Sequence, residues 1–309
     1  MRFDLTILGC SGAVPAYRRY PTMQLLNVQE QLFMIDCGEG AQMRFSDFSV
    51  KWGKLSHIFI SHHHGDHVLG LPGLLSSMGL NHRTSPLTVF GPPKVGAFLE
   101  QACSFSEQLS FPVHFESVDP DRNALVYESR HLRVYSLPLR HSVPATGYLF
   151  QEKERPRSMR GELIEKYQIP YQAIPGIRNG DDFVSSVHGV IPNGALTIAP
   201  PAPRSFAFCS DTAYQPSLTD YIYGVDLLYH EATFLQQHEA QAKETGHSTV
   251  KDAARTALEA NAGTLLLGHY STRYPVLDRI LQEAVSVFPN TILGSDGLIV
   301  PLTTRPGTG

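Results

Sequence analysis

Apolar and polar residues alternate from Arg2 to Cys10, and the alternation breaks at Gly9, Ser11 and Gly12, as a strand running into a tight loop would. Gln31 to Cys37 and His57 to Ser61 read as further strands, each closed by polar or glycine residues. Val68 to Leu80 predicts a short helix, with Pro72 suited to its first turn, followed by a strand at Leu87 to Gly91 and a helix at Val95 to Leu109. Strands are predicted again at Val113 to Val118, Ala124 to Glu128, Leu132 to Leu139 and Gly147 to Gln151. Glu152 to Asn193 then interrupts the pattern. This stretch is rich in Arg, Pro and Gly, has one helical run at Gly161 to Tyr167, and reads as an inserted arm. Beyond it come strands at Ala195 to Ile198, Ser205 to Ser210 and Val225 to His230, then a helix at Ser248 to Ala260 with Ser248 as candidate N-cap. A strand at Leu265 to His269, a helix at Val276 to Val287 and a strand region at Thr291 to Pro301 complete the chain. Two blocks of strands, each followed by helices, predict an α/β fold of αββα layering, two sheets face to face with helices outside, as one domain over 1–309 with the arm at 152–193.

Composition narrows the class. Of 309 residues 42% are hydrophobic and 17% charged, enough for a sizeable core and against global disorder. No run is long and apolar enough to span a bilayer, and the first residues do not read as a signal peptide, so a cytoplasmic location is expected. The formal net charge of −4 does not advertise a nucleic-acid binder, so any RNA contact must rest on a local patch. Cys10, Cys37, Cys103 and Cys209 show no paired spacing and are expected to be free thiols.

The chemistry-bearing signal is Ser61-His62-His63-His64-Gly65-Asp66-His67, directly after an apolar strand. His62, His64 and His67 offer imidazoles and Asp66 a hard carboxylate, the donor types that suit zinc. Three more candidates each follow an apolar run: His141, Asp211 and His269. Any one alone is weak. Seven together exceed one tetrahedral site and imply two metals, with Asp211 as the bridging carboxylate.

An HxHxDH motif after a strand, followed by a distant His, Asp and His, resembles the metallo-β-lactamase superfamily. Within it the chain is similar to the ribonuclease Z family of tRNA 3′-processing endonucleases. The segments that carry the likeness are FMIDCGEGAQ (33–42), HHHGDHVLGLPGLL (62–75), RHSVPATGY (140–148), CSDT (209–212), HEAT (230–233), GHST (246–249) and GHYSTRY (268–274). The resemblance implies two Zn²⁺ per chain, one on His62, His64, His141 and Asp211, the other on Asp66, His67, His269 and the shared Asp211. It also implies that Asp36 orients the site from behind, and that the metals and Asp66 activate water. His247 would protonate the leaving ribose 3′-oxygen, oriented by Glu231, and Ser271 and Arg273 would hold a substrate phosphate. Precursor tRNA as substrate, a homodimer, and an arm that clamps tRNA away from the scissile bond follow from the same likeness.

Some residues depart from the family pattern. His63 stands where an apolar residue is usual and is expected to face away from the metals. The first loop reads LGCSGAVP rather than LGTGSAxP, and the arm carries IPYQAIPGIRNGDDF, with mixed charge around Lys153, Arg155, Arg157, Arg160, Lys166 and Arg178. Two other functions compete: a small-molecule hydrolase on the same fold, and a metal-binding module without activity. The intact ligand set argues against the second.

Overall fold

The computed structural model describes residues 2–104 and 109–304. Its first sheet begins as an antiparallel meander, β1 (Phe3–Gly9), β2 (Met23–Val28) and β3 (Gln31–Ile35), and continues in parallel through β4 (Leu55–Phe59), β5 (Leu87–Gly91) and β6 (Val113–Ser117). The period-two alternation divides β2 and β3 between two faces. Leu26, Val28, Phe33 and Ile35 enter one apolar cluster, while Met23, Leu25, Leu32 and Met34 enter another. Burial on both faces is what a sheet covered by a second sheet on one side and by helices on the other requires. The helices on this sheet are α1 (Ala41–Asp47), α2 (Gly65–Val68), α3 (Leu71–Leu80) and α4 (Pro93–Ser104), which bring Phe45, Leu71, Leu75 and Leu99 into the second cluster.

β7 (Leu125–Glu128), β8 (Leu132–Leu139) and β9 (Ala145–Glu152) open the second sheet. After β9 the chain forms a separate compact unit, Glu152–Arg204 with Thr304. It contains β10 (Ser158–Met159), α5 (Gly161–Lys166), α6 (Ile174–Arg178), the hairpin β11 (Phe183–Ser185) and β12 (Gly189–Ile191), α7 (Asn193–Leu196) and β13 (Thr197–Ile198). Ile169, Ile177, Ile191 and Leu196 give it a small core of its own. Its ends are tied by Glu152, 4% exposed, which accepts from Arg204 Nε at 2.8 Å and Nη2 at 2.7 Å and from Arg155 at 2.8 Å.

The second sheet resumes with β14 (Ser205–Cys209), antiparallel to β9, and runs in parallel through β15 (Leu227–Glu231), β16 (Thr264–Gly268) and β17 (Thr291–Leu293). α8 (Leu218–Ile222), α9 (Glu239–Thr245), α10 (Val250–Glu259) and α11 (Asp278–Val285) lie between these strands in sequence, and β18 (Ile299–Pro301) returns to pair with β1. The sheets meet through Phe59 of β4, which packs edge-on against Tyr148 and Phe150 of β9 at 5.1 and 5.2 Å between centroids. The Tyr148 hydroxyl donates to Ile60 O at 2.7 Å, pinning the end of β4. The layering expected from sequence is the layering found.

Several local expectations are corrected. β2 was not anticipated because Gln24 and Asn27 interrupt its apolar run, yet both are buried. Ala195 to Ile198 is not one strand: its first half belongs to α7, after Pro192 and Asn193. Thr291 to Pro301 splits between the two sheets, because the chain turns through Gly294 to Gly297, the latter at φ +90°. The Val68 to Leu80 helix is two helices broken before Leu71, and the end of the helix predicted to Leu109 falls partly on residues 105–108, outside those described.

The N-cap of α10 is Thr249, one residue later than expected. Thr249 Oγ1 accepts from Asp252 N at 3.2 Å while Asp252 Oδ2 accepts from Thr249 N at 3.0 Å, a reciprocal capping box. Ser248 is diverted to the core, where its hydroxyl donates to Thr212 O at 2.6 Å. Thr249→Ala should therefore cost about 1 kcal/mol of stability, read as a lower urea midpoint at unchanged slope. A null effect would show that the cap is redundant.

Candidate metal centre

The parallel strands of both sheets end at one rim, and the polar candidates sit on or just beyond those ends. Asp36 follows β3, Ser61 and His62 follow β4, Asp211 follows β14, Glu231 ends β15, and His269 follows β16. Carboxyl ends of parallel strands are where open α/β sheets bind ligands. Two backbones there are left-handed, Asp36 at φ +54° and His269 at φ +57°, conformations that non-glycine residues adopt at a cost. Gly12 makes room for the second: a Cβ on it would lie 2.7 Å from His269 Cε1.

Donor atoms of His62, His64, His141 and Asp211 lie within 4.8 Å of one another, as do those of Asp66, His67 and His269. Asp211 stands between the groups, with Oδ2 3.6 Å from His62 Nε2 and 3.5 Å from His67 Nε2, and Oδ1 3.2 Å from His269 Nε2. His63 joins neither group.

In four of the five rings, His64 being the exception, the inward nitrogen is fixed by what the outward one does. His67 Nδ1 donates to Asp36 Oδ2 at 2.8 Å, and His62 Nδ1 to Ser61 Oγ at 3.0 Å, which itself donates to Asp36 at 3.0 Å. Asp36 thus stands behind one imidazole of each group. His141 Nδ1 donates to Gly246 O at 2.8 Å and His269 Nδ1 to Thr233 Oγ1 at 2.9 Å. The Thr233 hydroxyl is oriented by its own donation to Glu231 Oε2 at 2.6 Å. In the neutral form of each of these four rings a proton on Nδ1 turns the Nε2 lone pair toward the shared space. Sequence reasoning did not assign roles to Thr233 or Ser61. Both lie inside quoted motifs, but their contacts are long-range.

The donor set fits cations. His67 Nε2 is buried without a hydrogen-bond partner, and His62 Nε2 and His64 Nδ1 point at each other 3.0 Å apart. One of the two must carry a proton and donate to the other, unless a cation held by both lone pairs takes that proton's place. Burial lowers the pKa values of His62, His64 and His141, favouring the neutral ligand form. For His67 burial is outweighed by Asp66, Asp211 and Asp36, which raise its pKa well above the usual imidazole range. The same three carboxylates would favour a metal cation in place of that proton. Burial opposes charge on Asp66 and Asp211, but facing imidazoles hold both below the ordinary carboxylate range.

At the rim, His247 Nδ1 lies 2.8 Å from Glu231 Oε1, and the side chain is 15% exposed. Burial pulls its pKa down, but Glu231 and Asp211 prevail and it is pushed up to about 9. Ser271 accepts from Arg273 N at 3.3 Å, and Arg273 donates to Gln241 at 2.6 Å while lying over the Phe234 ring, itself 6.1 Å from that of His247.

Comparison with known proteins points one way. A profile described as the β-lactamase superfamily domain matches residues 183–270, and one described as anti-Pycsar protein Apyc1 matches residues 3–110. A protein named ribonuclease Z from Parabacteroides distasonis is 44% identical over 297 residues, covering 96% of this chain and 98% of that one. Its namesake from Porphyromonas gingivalis is 45% identical over 301 residues, covering 97% and 99%. Among solved structures, the short form of human tRNase Z superposes with a TM-score of 0.68 at 24% identity, over 97% of this chain and 99% of that one. The metallo-β-lactamase fold protein YhfI from Bacillus subtilis gives 0.67 at 20%, over 97% and 100%.

The hydrogen bonds behind the rings generate a test. Asp36→Asn keeps the size and tolerates the left-handed backbone, but loses the charge that holds His67 and, through Ser61, His62. Metal analysis should find two ions per wild-type chain, and chelator competition should find affinity about 10- to 100-fold weaker in the variant. Wild-type affinity in Asp36→Asn would remove Asp36 from the site.

Proposed function

The chain belongs to the ribonuclease Z family, the tRNA 3′-processing endoribonucleases of the metallo-β-lactamase fold, and from that premise we propose how its own residues carry the cleavage. It is a metal-dependent hydrolase acting on RNA. The finer reading is that it cuts precursor tRNA after the discriminator nucleotide, leaving a 3′-hydroxyl on the tRNA and a 5′-phosphate on the trailer. Two Zn²⁺ would be held by His62, His64 and His141 and by Asp66, His67 and His269, with Asp211 shared. Bound there, such ions supply Lewis acidity that acidifies water and offsets charge building on the phosphoryl oxygens.

The protein's own groups do the rest. Asp66 is steadied by Ala13 N–H, which donates to its Oδ2 at 2.7 Å, and accepts a hydrogen bond from the attacking water. His247 Nε2 delivers a proton to the leaving 3′-oxygen. The observation that carries this assignment is the Glu231–His247 pair: Glu231 is fully buried, accepts from Nδ1 at 2.8 Å, and favours the protonated ring. Ser271 and Arg273 receive a phosphate of the substrate once Arg273 leaves Gln241. The unit from Glu152 clamps the tRNA body, and the working form is a cytoplasmic homodimer. No helix among the described residues is long and apolar enough to cross a membrane. Incubating the purified protein with a 3′-extended precursor tRNA and with a generic phosphodiester tests the whole reading. Cleavage confined to the discriminator position supports it, and indifference to the tRNA overturns it.

The proton donor is tested by changing the leaving group. His247→Ala should lower kcat on RNA by about 10²–10⁴-fold with the metal content retained. On a nitrophenyl phosphodiester, whose leaving oxygen departs without a proton, the deficit should shrink. A loss of equal size on both substrates, seen mainly in KM, would instead make His247 a phosphate ligand.

The clamp can be removed without opening the sheet, because Gln151 of β9 pairs directly with Ser205 of β14. Replacing 152–204 by an Asn-Gly turn should close that hairpin. Precursor cleavage should then fall steeply while turnover of a small phosphodiester persists, since remote contacts position only the large substrate. Parallel loss of both activities would mark the unit as structural.

A further inference from the structure

A cavity of about 670 Å³ opens beside His141 and His247, and the chemistry above leaves most of it unused. Its other walls include Arg140, Tyr214, Lys243 and Arg255. Within it Tyr214 and Arg255 form one unit. The Arg255 guanidinium lies over the Tyr214 ring at 4.9 Å, and Glu259 holds both, accepting from the Tyr214 hydroxyl at 2.8 Å and from Arg255 Nε at 2.8 Å. The unit faces solvent, with the Arg255 side chain 59% exposed. An exposed ion pair of this kind contributes little to stability. What it does provide is a flat, ordered π-cation surface.

The backbone fixes that surface relative to the metal ligands. Tyr214 lies on the loop that starts at Asp211. Ala213 N–H donates to Arg140 O at 2.7 Å, Arg140 N–H donates to Thr212 Oγ1 at 3.0 Å, and Gln215 donates to Pro138 O at 2.6 Å. The ring therefore cannot drift from His141, which follows Arg140 directly.

We propose that the Tyr214–Arg255 shelf stacks the base of the nucleotide immediately 5′ of the scissile phosphate, the one that becomes the new 3′ end of the tRNA. The direction rests on the assignment of His247 to the leaving oxygen. That oxygen is the 3′-oxygen of this nucleotide, and the cavity lies on the His247 side of the metal centre. Aromatic and guanidinium faces stack any base, so the shelf positions without reading sequence. Arg140, exposed at the same mouth, is placed to meet the next phosphate in the 5′ direction.

The test is a cycle that combines Tyr214→Ala with removal of single bases from a precursor tRNA. With the wild-type chain, an abasic site at the last retained nucleotide should lower kcat/KM on the order of tenfold to a hundredfold. Tyr214→Ala should cause a loss of similar size on intact RNA and little further loss on that abasic RNA, which also shows the variant to be folded. Tyr214→Phe, which keeps the ring, should retain most of the rate. Removing the first base of the trailer instead should leave the Tyr214→Ala deficit in place. A deficit undiminished on RNA lacking the retained base overturns the proposal. So does a deficit that disappears only when the trailer base is gone, which would put the trailer on the shelf. An error in the role of His247 would show separately, in its leaving-group dependence, because this cycle reads only which base is coupled to Tyr214.

Discussion

Four carboxylates are crowded at the rim where the sheets meet, and three of them, Asp36, Asp211 and Glu231, are at most 2% exposed. Taking an ionised carboxylate out of water costs several kcal/mol unless opposite charge and hydrogen bonds offset it. Much of the local architecture can be understood as that offset. His67 faces Asp36, Asp66 and Asp211 together, and His247 faces Glu231 and Asp211. Glu231 also receives Thr212 N at 2.9 Å and Thr233 N at 3.1 Å. Such a site is poised to take up cations, because each one bound relieves repulsion among acids that the fold has already brought together.

The sheets make that crowding affordable through rigidity. Most of the proposed ligands are carried just past the end of a strand whose neighbours are in register, Asp66 and His67 sit on the short helix α2 that follows β4, and the facing sheets are locked below the site by Phe59, Tyr148 and Phe150. A side chain at a strand end can be aimed to within a fraction of an ångström only if the strand does not slide. The left-handed turns at Asp36 and His269 then redirect the chain just where the strand stops. Their strain is tolerable because the ladders beneath them over-determine the backbone.

What could be read from the sequence follows from this division. The HHHGDH run was legible because its donors are close together in the chain, and Asp211 and His269 because each interrupts the end of an unmistakable apolar strand. The layers were legible from period-two runs. β2 was not, since Gln24 and Asn27 look like surface residues until the second face of the sheet is known to be covered. The Thr249 cap was missed by one residue because Ser248 is equally good cap chemistry, and only the tertiary acceptor at Thr212 O claims it. Thr233, Ser61 and Gly12 act across 36, 25 and 257 residues of chain respectively, toward His269, Asp36 and His269. No local pattern encodes contacts of that length.

Glu231 shows how one buried acid can serve two histidines differently. Its Oε1 accepts directly from His247 Nδ1, so the imidazole shares a carboxylate and is driven toward the charged form. Its Oε2 accepts from the Thr233 hydroxyl, and it is the neutral oxygen of that hydroxyl which accepts from His269 Nδ1. The rings of His247 and His269 are stacked 5.6 Å apart, close enough that two charged imidazoles would repel strongly. Interposing a hydroxyl on one side only breaks the symmetry: it orients His269 through a neutral oxygen and turns its Nε2 toward Asp66 and Asp211, each 3.2 Å away, into the space a metal would fill. On this reading the proposed acid and the proposed ligand differ by one atom layer, the Thr233 oxygen. The HEAT segment holds both ends of that arrangement, Glu231 and Thr233, two residues apart on the same stretch of chain.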